Sequence, residues 1–108
     1  MNDFDNLKIY KPLPDFLEIK KSKIHGYGLF AKNNIDEKIE FGITHIRDER
    51  FLHNYARTPL GGFFNHSIEP NCEAYYEGDL IKLRSVKKII AGEEITVNYT
   101  LHDWCKVK

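Results

Sequence analysis

Closely spaced turn residues cut this chain into short segments, and that spacing sets the class of fold. Turn patterns recur at 26–28, 36–38, 58–62, 77–79 and 91–92. Strand-like apolar patterns lie between them, at 16–20, 29–31, 39–43, 74–76, 80–86 and 95–99. The Glu77-Gly78-Asp79 turn between two of these runs predicts a β-hairpin. Many short strands joined by close turns are typical of a mostly β domain of small packed sheets.

A single short helix is expected among these strands. Asp48 suits its N-cap position, and the three apolar side chains that would share one helix face are Phe51, Leu52 and Tyr55. Residues 58–62 contain a proline and two glycines, and are expected to end this helix.

The charge of the chain narrows the range of its partners. Its 108 residues carry 16 Lys plus Arg and 16 Asp plus Glu, so the formal net charge is zero. The broad basic field that non-specific nucleic-acid binding needs is therefore not expected.

The sequence also gives no sign of a membrane segment. No apolar run approaches the roughly 18 residues of a membrane helix, and the polar start carries no signal-peptide core. We expect a soluble intracellular protein that binds neither nucleic acid nor a membrane directly.

Cysteine usage gives no sign of a disulfide framework or a metal site. The chain has two cysteines, Cys72 and Cys105, and no Cys-x-x-Cys pair. His66 and Cys72 lack the paired spacing of a zinc site. Both cysteines are therefore expected to be reduced thiols, and no metal ligands are assigned.

The segment His25-Gly26-Tyr27-Gly28 places two glycines one residue apart. Glycine permits positive φ and lets a ligand approach the backbone N–H and C=O groups closely. On its own, this pattern is more typical of a tight turn between strands. A dinucleotide fingerprint is excluded, because no third glycine and no helix follow.

A second segment runs from Gly62 to Cys72 and places two aromatic residues before an Asn-His-Ser-x-x-Pro-Asn turn. Pro70 favours an extended residue before it, and Asn and Ser side chains bond nearby backbone amides. Asn65 and His66 would thus be held rigidly, with donors and acceptors suited to an adenine edge and an amino-acid group. A capped loop with a hydrogen-bonded histidine explains the same residues equally well.

A third segment covers 91–99 and ends in Glu93-Glu94-Ile95-Thr96-Val97-Asn98-Tyr99. Alone, it is typical of an edge strand after a turn, in which Tyr99 is an ordinary strand tyrosine. Taken together, in this order and with a hairpin between the second and third, the segments resemble the signature segments of SET-domain protein lysine methyltransferases. The resemblance is to the compact stand-alone type, similar to the small SET protein of a chlorella virus.

The resemblance implies a fold and a domain arrangement. It covers 16–104, which leaves 1–15 as an extended lead-in containing two prolines and 105–108 as a tail. Family members have a β-clip-like fold of small curved sheets with a knot-like C-terminal threading, a rare topology. In it, the C-terminal segment passes beneath a loop formed by the Asn-His-Ser strand, which brings distant segments into one site.

The resemblance also implies a reaction and its site residues. Family members transfer a methyl group from S-adenosylmethionine to a protein lysine and release S-adenosylhomocysteine. The positions that match cofactor-contacting residues of the family are His25, Gly26, Tyr27, Asn65, His66 and Trp104. Tyr99 matches the catalytic tyrosine, and Trp104 the aromatic residue that covers the adenine in compact relatives.

The implied partner is a lysine in a protein substrate such as a histone tail, with a second copy of the chain as a candidate partner. A nuclear or chromatin location would follow in a eukaryotic cell, or for a virus in a eukaryotic host. Two other interpretations stay open: a catalytically silent SET-like module that binds a peptide or partner, and a β-rich structural domain with coincidental motifs. Retention of Tyr99, Asn65 and His66 argues against the silent module.

Overall fold

Antiparallel pairing of neighbouring segments builds most of the computed structural model, which describes residues 12–98. Its strands are β1 (Leu17–Lys21), β2 (Tyr27–Ala31), β3 (Glu40–Arg47), β4 (Tyr55–Arg57), β5 (Asn65–His66), β6 (Cys72–Glu77), β7 (Leu80–Ser85) and β8 (Thr96–Val97). A 3₁₀ turn spans Leu52–Asn54, and a short helix, α1, spans Pro59–Phe63. The strands form a four-stranded sheet in the order β4-β3-β7-β6 and two pairs, β1-β2 and β5-β8. The mostly β class with small sheets and one short helix is confirmed.

The β6-β7 hairpin forms where the sequence predicts it. Glu77 pairs with Leu80, so a two-residue turn joins the strands, and Gly78 takes a φ of 60° that glycine adopts without steric cost. Along β7, Ile81, Leu83 and Ser85 are buried, and they alternate with partly exposed residues. This alternation is the period of a half-buried strand.

The helix expected after Asp48 is absent from the described residues, and that expectation was wrong. Asp48 Oδ1 accepts hydrogen bonds from the backbone N–H of Arg50 and from its Nε, both at 3.0 Å. His53 and Asn54 then take φ values of 69° and 67°, which no right-handed helix contains. Asp48 therefore supports a turn through its side chain, a role that competes with helix capping.

The helix begins instead at the segment that was expected to end one. Thr58 is the N-cap of α1, and its Oγ1 accepts a hydrogen bond from Gly61 N at 3.3 Å. Pro59 occupies the first helical position, where its missing N–H leaves no intrahelical bond unmade. A threonine followed by proline is a start signal, and the glycines beyond it conceal that signal. No helix among the described residues is long and apolar enough to span a membrane.

The core fixes the three motif segments in place, because each has a buried apolar residue beside its polar ones. Leu29 follows the Gly-x-Gly turn, Phe64 precedes Asn65, and Ile95 follows Glu94; each is at most 1% exposed. Each such side chain contributes roughly 1.5–3 kcal/mol of burial free energy. The polar residues of the motifs are therefore attached to a packed interior.

One extended segment, residues 92–97, joins two of the sheets. Its first half lies along β2, where Ala31 N donates to Glu93 O at 2.9 Å and Ile95 N donates to Leu29 O at 2.8 Å. Its second half, β8, pairs in parallel with β5, and Asn65 lies opposite Thr96. The knot-like threading predicted for the C-terminal segment concerns residues beyond 98, which lie outside the described residues.

A glycine of α1 provides a test of this packing. A Cβ at Gly61 would overlap the carbonyl oxygen of Thr44 and lie 2.8 Å from its carbonyl carbon. That carbonyl already accepts a hydrogen bond from Thr58 N at 2.9 Å, so it has little room to move. Gly61→Ala is expected to lower the free energy of unfolding by about 2–3 kcal/mol, the usual cost of overpacking. Urea unfolding of the purified variant measures this.

The matched control is the next residue. Nothing lies within 4 Å of a Cβ at Gly62, which is in the same helix. Gly62→Ala should leave the stability within about 0.5 kcal/mol of the wild type or raise it slightly. Equal effects of the two substitutions would show that the contact between α1 and Thr44 is not as described.

Candidate functional site

The three motif segments meet at the side chain of Asn65. Asn65 Nδ2 lies 3.1 Å from the carbonyl oxygen of His25 in the first segment and 2.7 Å from Glu94 Oε2 in the third. Asn65 itself is 8% exposed, so its side chain is shielded from water although the loop it contacts is exposed. The structure thus brings together the segments that the sequence places far apart.

The loop between β1 and β2 is closed by its own hydrogen bonds. Ser22 N donates to Gly26 O at 2.7 Å, and the amides of Ile24 and His25 donate to Ser22 Oγ at 2.9 and 3.3 Å. Gly26 has a φ of 49°, which a side chain disfavours. His25, Gly26 and Tyr27 are exposed, so this loop presents a polar backbone surface beside Asn65.

Glu94 lies under this loop, and sequence reasoning did not assign it a role. Ser22 Oγ lies 2.8 Å from both of its carboxylate oxygens. A Cβ at Gly28 would overlap the carboxylate and lie 3.2 Å from Asn65 Nδ2. The sequence suggested that this glycine admits a ligand, whereas the group that approaches it in the structure is Glu94 of the same chain.

Asn71, the last residue of the Asn-His-Ser-x-x-Pro-Asn turn, holds the third segment. Its Nδ2 donates to Glu94 O at 2.8 Å, and its Oδ1 accepts from Thr96 N at 2.9 Å. The buried side chain thus replaces a strand partner for this stretch of backbone. Its position in the motif was visible in the sequence, but only the structure shows which backbone groups it pairs.

The remaining predicted site residues have different placements. His66 is half-buried in β5, opposite Val97, and the next residue, Ser67, donates from its N–H to Val97 O at 3.1 Å. Tyr99 and Trp104 lie outside the described residues. Of the predicted cofactor-binding set, the structure therefore brings Asn65 against the loop of His25, Gly26 and Tyr27.

Neither a reactive thiol nor a set of metal ligands is found among the described residues. Burial, with the nearby Glu73 carboxylate as a second cause, raises the pKa of the Cys72 thiol well above its ordinary value. This thiol stays protonated at neutral pH and is a poor nucleophile or metal ligand. Within residues 12–98, no group of three or more His, Cys, Asp or Glu side chains is placed to hold a metal ion.

The double hydrogen bond of Asn71 predicts a large effect from a small change. In Asn71→Asp, the carboxylate still accepts from Thr96 N but no longer donates to Glu94 O, and a buried acceptor is left unpaired. We expect a loss of about 3 kcal/mol in the free energy of unfolding at neutral pH. Chemical denaturation at pH 7 measures it.

A second asparagine is the control for this change. Asn34 Oδ1 accepts from Ala91 N at 2.9 Å in an exposed turn, and an aspartate keeps that acceptor. Asn34→Asp should therefore change the stability by less than about 0.5 kcal/mol. A loss for Asn71→Asp no greater than that of this control would contradict the role given to Asn71.

Comparison with known proteins places this geometry in a family. A family model described as the SET domain matches residues 39–100. A histone-lysine N-methyltransferase of Candida albicans, specific for lysine 36 of histone H3, is 25% identical across 79% of this chain. A SET domain-containing protein of Acanthamoeba polyphaga mimivirus is 29% identical across 81% of this chain. The chain spans only 14% of the first relative's length and 35% of the second's.

A solved structure agrees with the fold. The crystal structure of a Plasmodium falciparum protein described as a candidate histone methyltransferase has a TM-score of 0.68 and 19% identity. The superposition covers 84% of this chain and 98% of that one. At this identity, the likeness concerns the arrangement of the strands rather than the reaction.

Proposed function

This chain belongs to the SET-domain family, and on that premise we propose that it transfers a methyl group from S-adenosylmethionine to the side-chain amine of a protein lysine. The product would be S-adenosylhomocysteine. The observation that carries the proposal is the meeting of the three family segments at Asn65. Relatives named as lysine methyltransferases, such as the one from Candida albicans, support the same reaction class.

The methyl donor would be held by His25, Gly26, Tyr27, Asn65 and His66, with Trp104 as the cover of its adenine. The fit rests on the chemistry of the donors and acceptors: the exposed loop around Gly26 offers backbone groups, and the Asn65 side chain lies against it. Such groups can pair with the polar edges of a nucleoside and with an amino-acid end. When bound, S-adenosylmethionine supplies the electrophilic methyl group.

Tyr99 is the proposed catalytic residue, assigned from its place in the family motif. A lysine amine has an unperturbed pKa near 10.4, so it must lose a proton before its lone pair can attack. Desolvation at the site favours the neutral amine. The Tyr99 hydroxyl then orients the nitrogen, and proximity of this kind lowers a barrier by several kcal/mol. The buried strand β8, which ends two residues before Tyr99, gives this segment a fixed starting point.

The substrate is proposed to be a lysine on a histone or similar protein tail, and a second copy of the chain could complete its groove. A nuclear or chromatin location follows for a eukaryotic or virus-infected cell. We propose the SET domain at 16–104, with 1–15 as its lead-in and 105–108 as a tail.

Replacement of the Tyr99 hydroxyl tests the reaction. With labelled S-adenosylmethionine and core histones or lysine-rich peptides, Tyr99→Phe should lower methyl transfer by about 100-fold or more, as expected for loss of an orienting polar group. The control is Tyr76→Phe, because Tyr76 is 58% exposed on β6. The control should keep wild-type activity. No transfer by the wild type to any of these substrates would contradict the proposed methyltransferase activity.

Binding of the cofactor is tested separately by thermal unfolding. S-adenosylhomocysteine at about 100 times its Kd should stabilise the fold by about 2.7 kcal/mol. Adenosine triphosphate at the same concentration is the control and should give a much smaller shift. If S-adenosylhomocysteine does not raise the unfolding temperature, the proposed cofactor pocket is contradicted. If it does but no methyl transfer is detected, a catalytically silent module is favoured.

A further inference from the structure

The Glu94 carboxylate accepts the hydrogen bonds that hold the loop of residues 22–27 in place. We propose that Glu94 is a positioning residue for the methyl donor, a role that rests on the proposed function. Neither the sequence motifs nor the reaction assigns this side chain a task. Its partners, Ser22 and Asn65, are 72 and 29 residues away along the chain, so the contacts are tertiary.

Ser22 connects the Glu94 carboxylate to the loop through hydrogen bonds. A serine hydroxyl has one hydrogen to donate and two lone pairs that accept. Here the hydrogen points to the Glu94 carboxylate at 2.8 Å, and the oxygen accepts from the amides of Ile24 and His25. The carboxylate therefore fixes the hydroxyl, and the hydroxyl fixes the two loop amides.

Asn65 makes a second connection from the same carboxylate. Its Nδ2 carries two hydrogens and lies near three acceptors: His25 O at 3.1 Å, Glu94 Oε2 at 2.7 Å and Ser22 Oγ at 3.1 Å. The shortest of these contacts is to the carboxylate, as expected for a charged acceptor. With one hydrogen on Glu94, the other is directed at the His25 carbonyl.

The carboxylate itself projects from a fixed backbone. Glu94 O accepts from Asn71 Nδ2 at 2.8 Å, and the residues on either side of Glu94 are bonded to β2. Gly28 lies against the carboxylate with no side chain to displace it. Glu94 thus transmits the rigidity of the core to a loop whose own residues 23–27 are exposed.

A carboxylate suits this arrangement better than an amide does. Both of its oxygens only accept, and both face donors, Ser22 Oγ and Asn65 Nδ2. In Glu94→Gln, one oxygen becomes an NH₂ group that cannot accept, and the oxygen that remains carries no full negative charge, so the bonds it accepts from Ser22 and Asn65 are weaker. The size of the side chain is kept, so the loss is one of hydrogen bonding and charge rather than of packing.

The test uses the full chain and three variants: Glu94→Gln, Ser22→Ala and, as a control, Glu93→Gln. Glu93 is the neighbouring exposed glutamate, and its carboxylate contacts only the nearby Ile90 N among the hydrogen bonds of the described residues. Loss of a hydrogen bond to a charged group should weaken S-adenosylhomocysteine binding by about tenfold in Glu94→Gln, measured by calorimetry. Glu93→Gln should bind as the wild type does.

Amide hydrogen exchange without any cofactor separates this role from the proposed function. Exchange at 24–27 should be at least about tenfold faster in Glu94→Gln and Ser22→Ala, with strands β3 and β7 unchanged. In a fourth variant that combines Glu94→Gln with Ser22→Ala, the loss of affinity for S-adenosylhomocysteine should be smaller than the sum of the two single losses, because Ser22 is one of the routes by which Glu94 acts on the loop.

The outcomes are distinguishable. A wild type that does not bind S-adenosylhomocysteine refutes the proposed function, and the exchange rates still report whether Glu94 orders the loop. Wild-type binding with unchanged affinity and loop exchange in both variants overturns the role of Glu94. Faster exchange spread evenly over β3 and β7 overturns it as well, since that result indicates general destabilisation.

Discussion

Residues 92–97 change their strand partner along their length, and this change holds the motif segments together. The backbone of this segment bonds first to β2 and then to β5, and its last residues, Ile95, Thr96 and Val97, are buried. Buried peptide groups need partners, and Asn71 supplies them where the segment passes from one strand to the other. The loop of residues 22–27 and the Asn65 side chain are assembled around this segment.

Local patterns in the sequence predicted the local parts of the fold. The β6-β7 hairpin follows from alternation on both sides of a Gly78 turn, since each signal concerns adjacent residues. The helix was misplaced because Asp48 and Thr58 are both acceptable caps, and the choice between them depends on tertiary contacts. Thr58 Oγ1 donates to Ile43 O at 2.6 Å, a contact that no local pattern contains.

The candidate site was predictable only where a sequence motif marks its residues. Asn65 and His66 could be selected from a motif, because the order of three segments carried the information. The contacts of Glu94 with Ser22 and Asn65 join residues far apart in sequence, and single side chains of these types are common on solvated surfaces. The roles of Tyr99 and Trp104 stay predictions. A fold alone does not establish a reaction, so the proposed chemistry rests on residues rather than on architecture.

We propose that the three segments meeting at Asn65 form the pocket for the methyl donor. Titration of ¹⁵N-labelled protein with S-adenosylhomocysteine, followed by amide chemical shifts, can locate this pocket. Among residues 12–98, the largest shifts are expected at 23–28 and 65–67, with saturation at a single site. Saturable shifts centred on the outer face of the β4-β3-β7-β6 sheet, or no shifts at all, would contradict it.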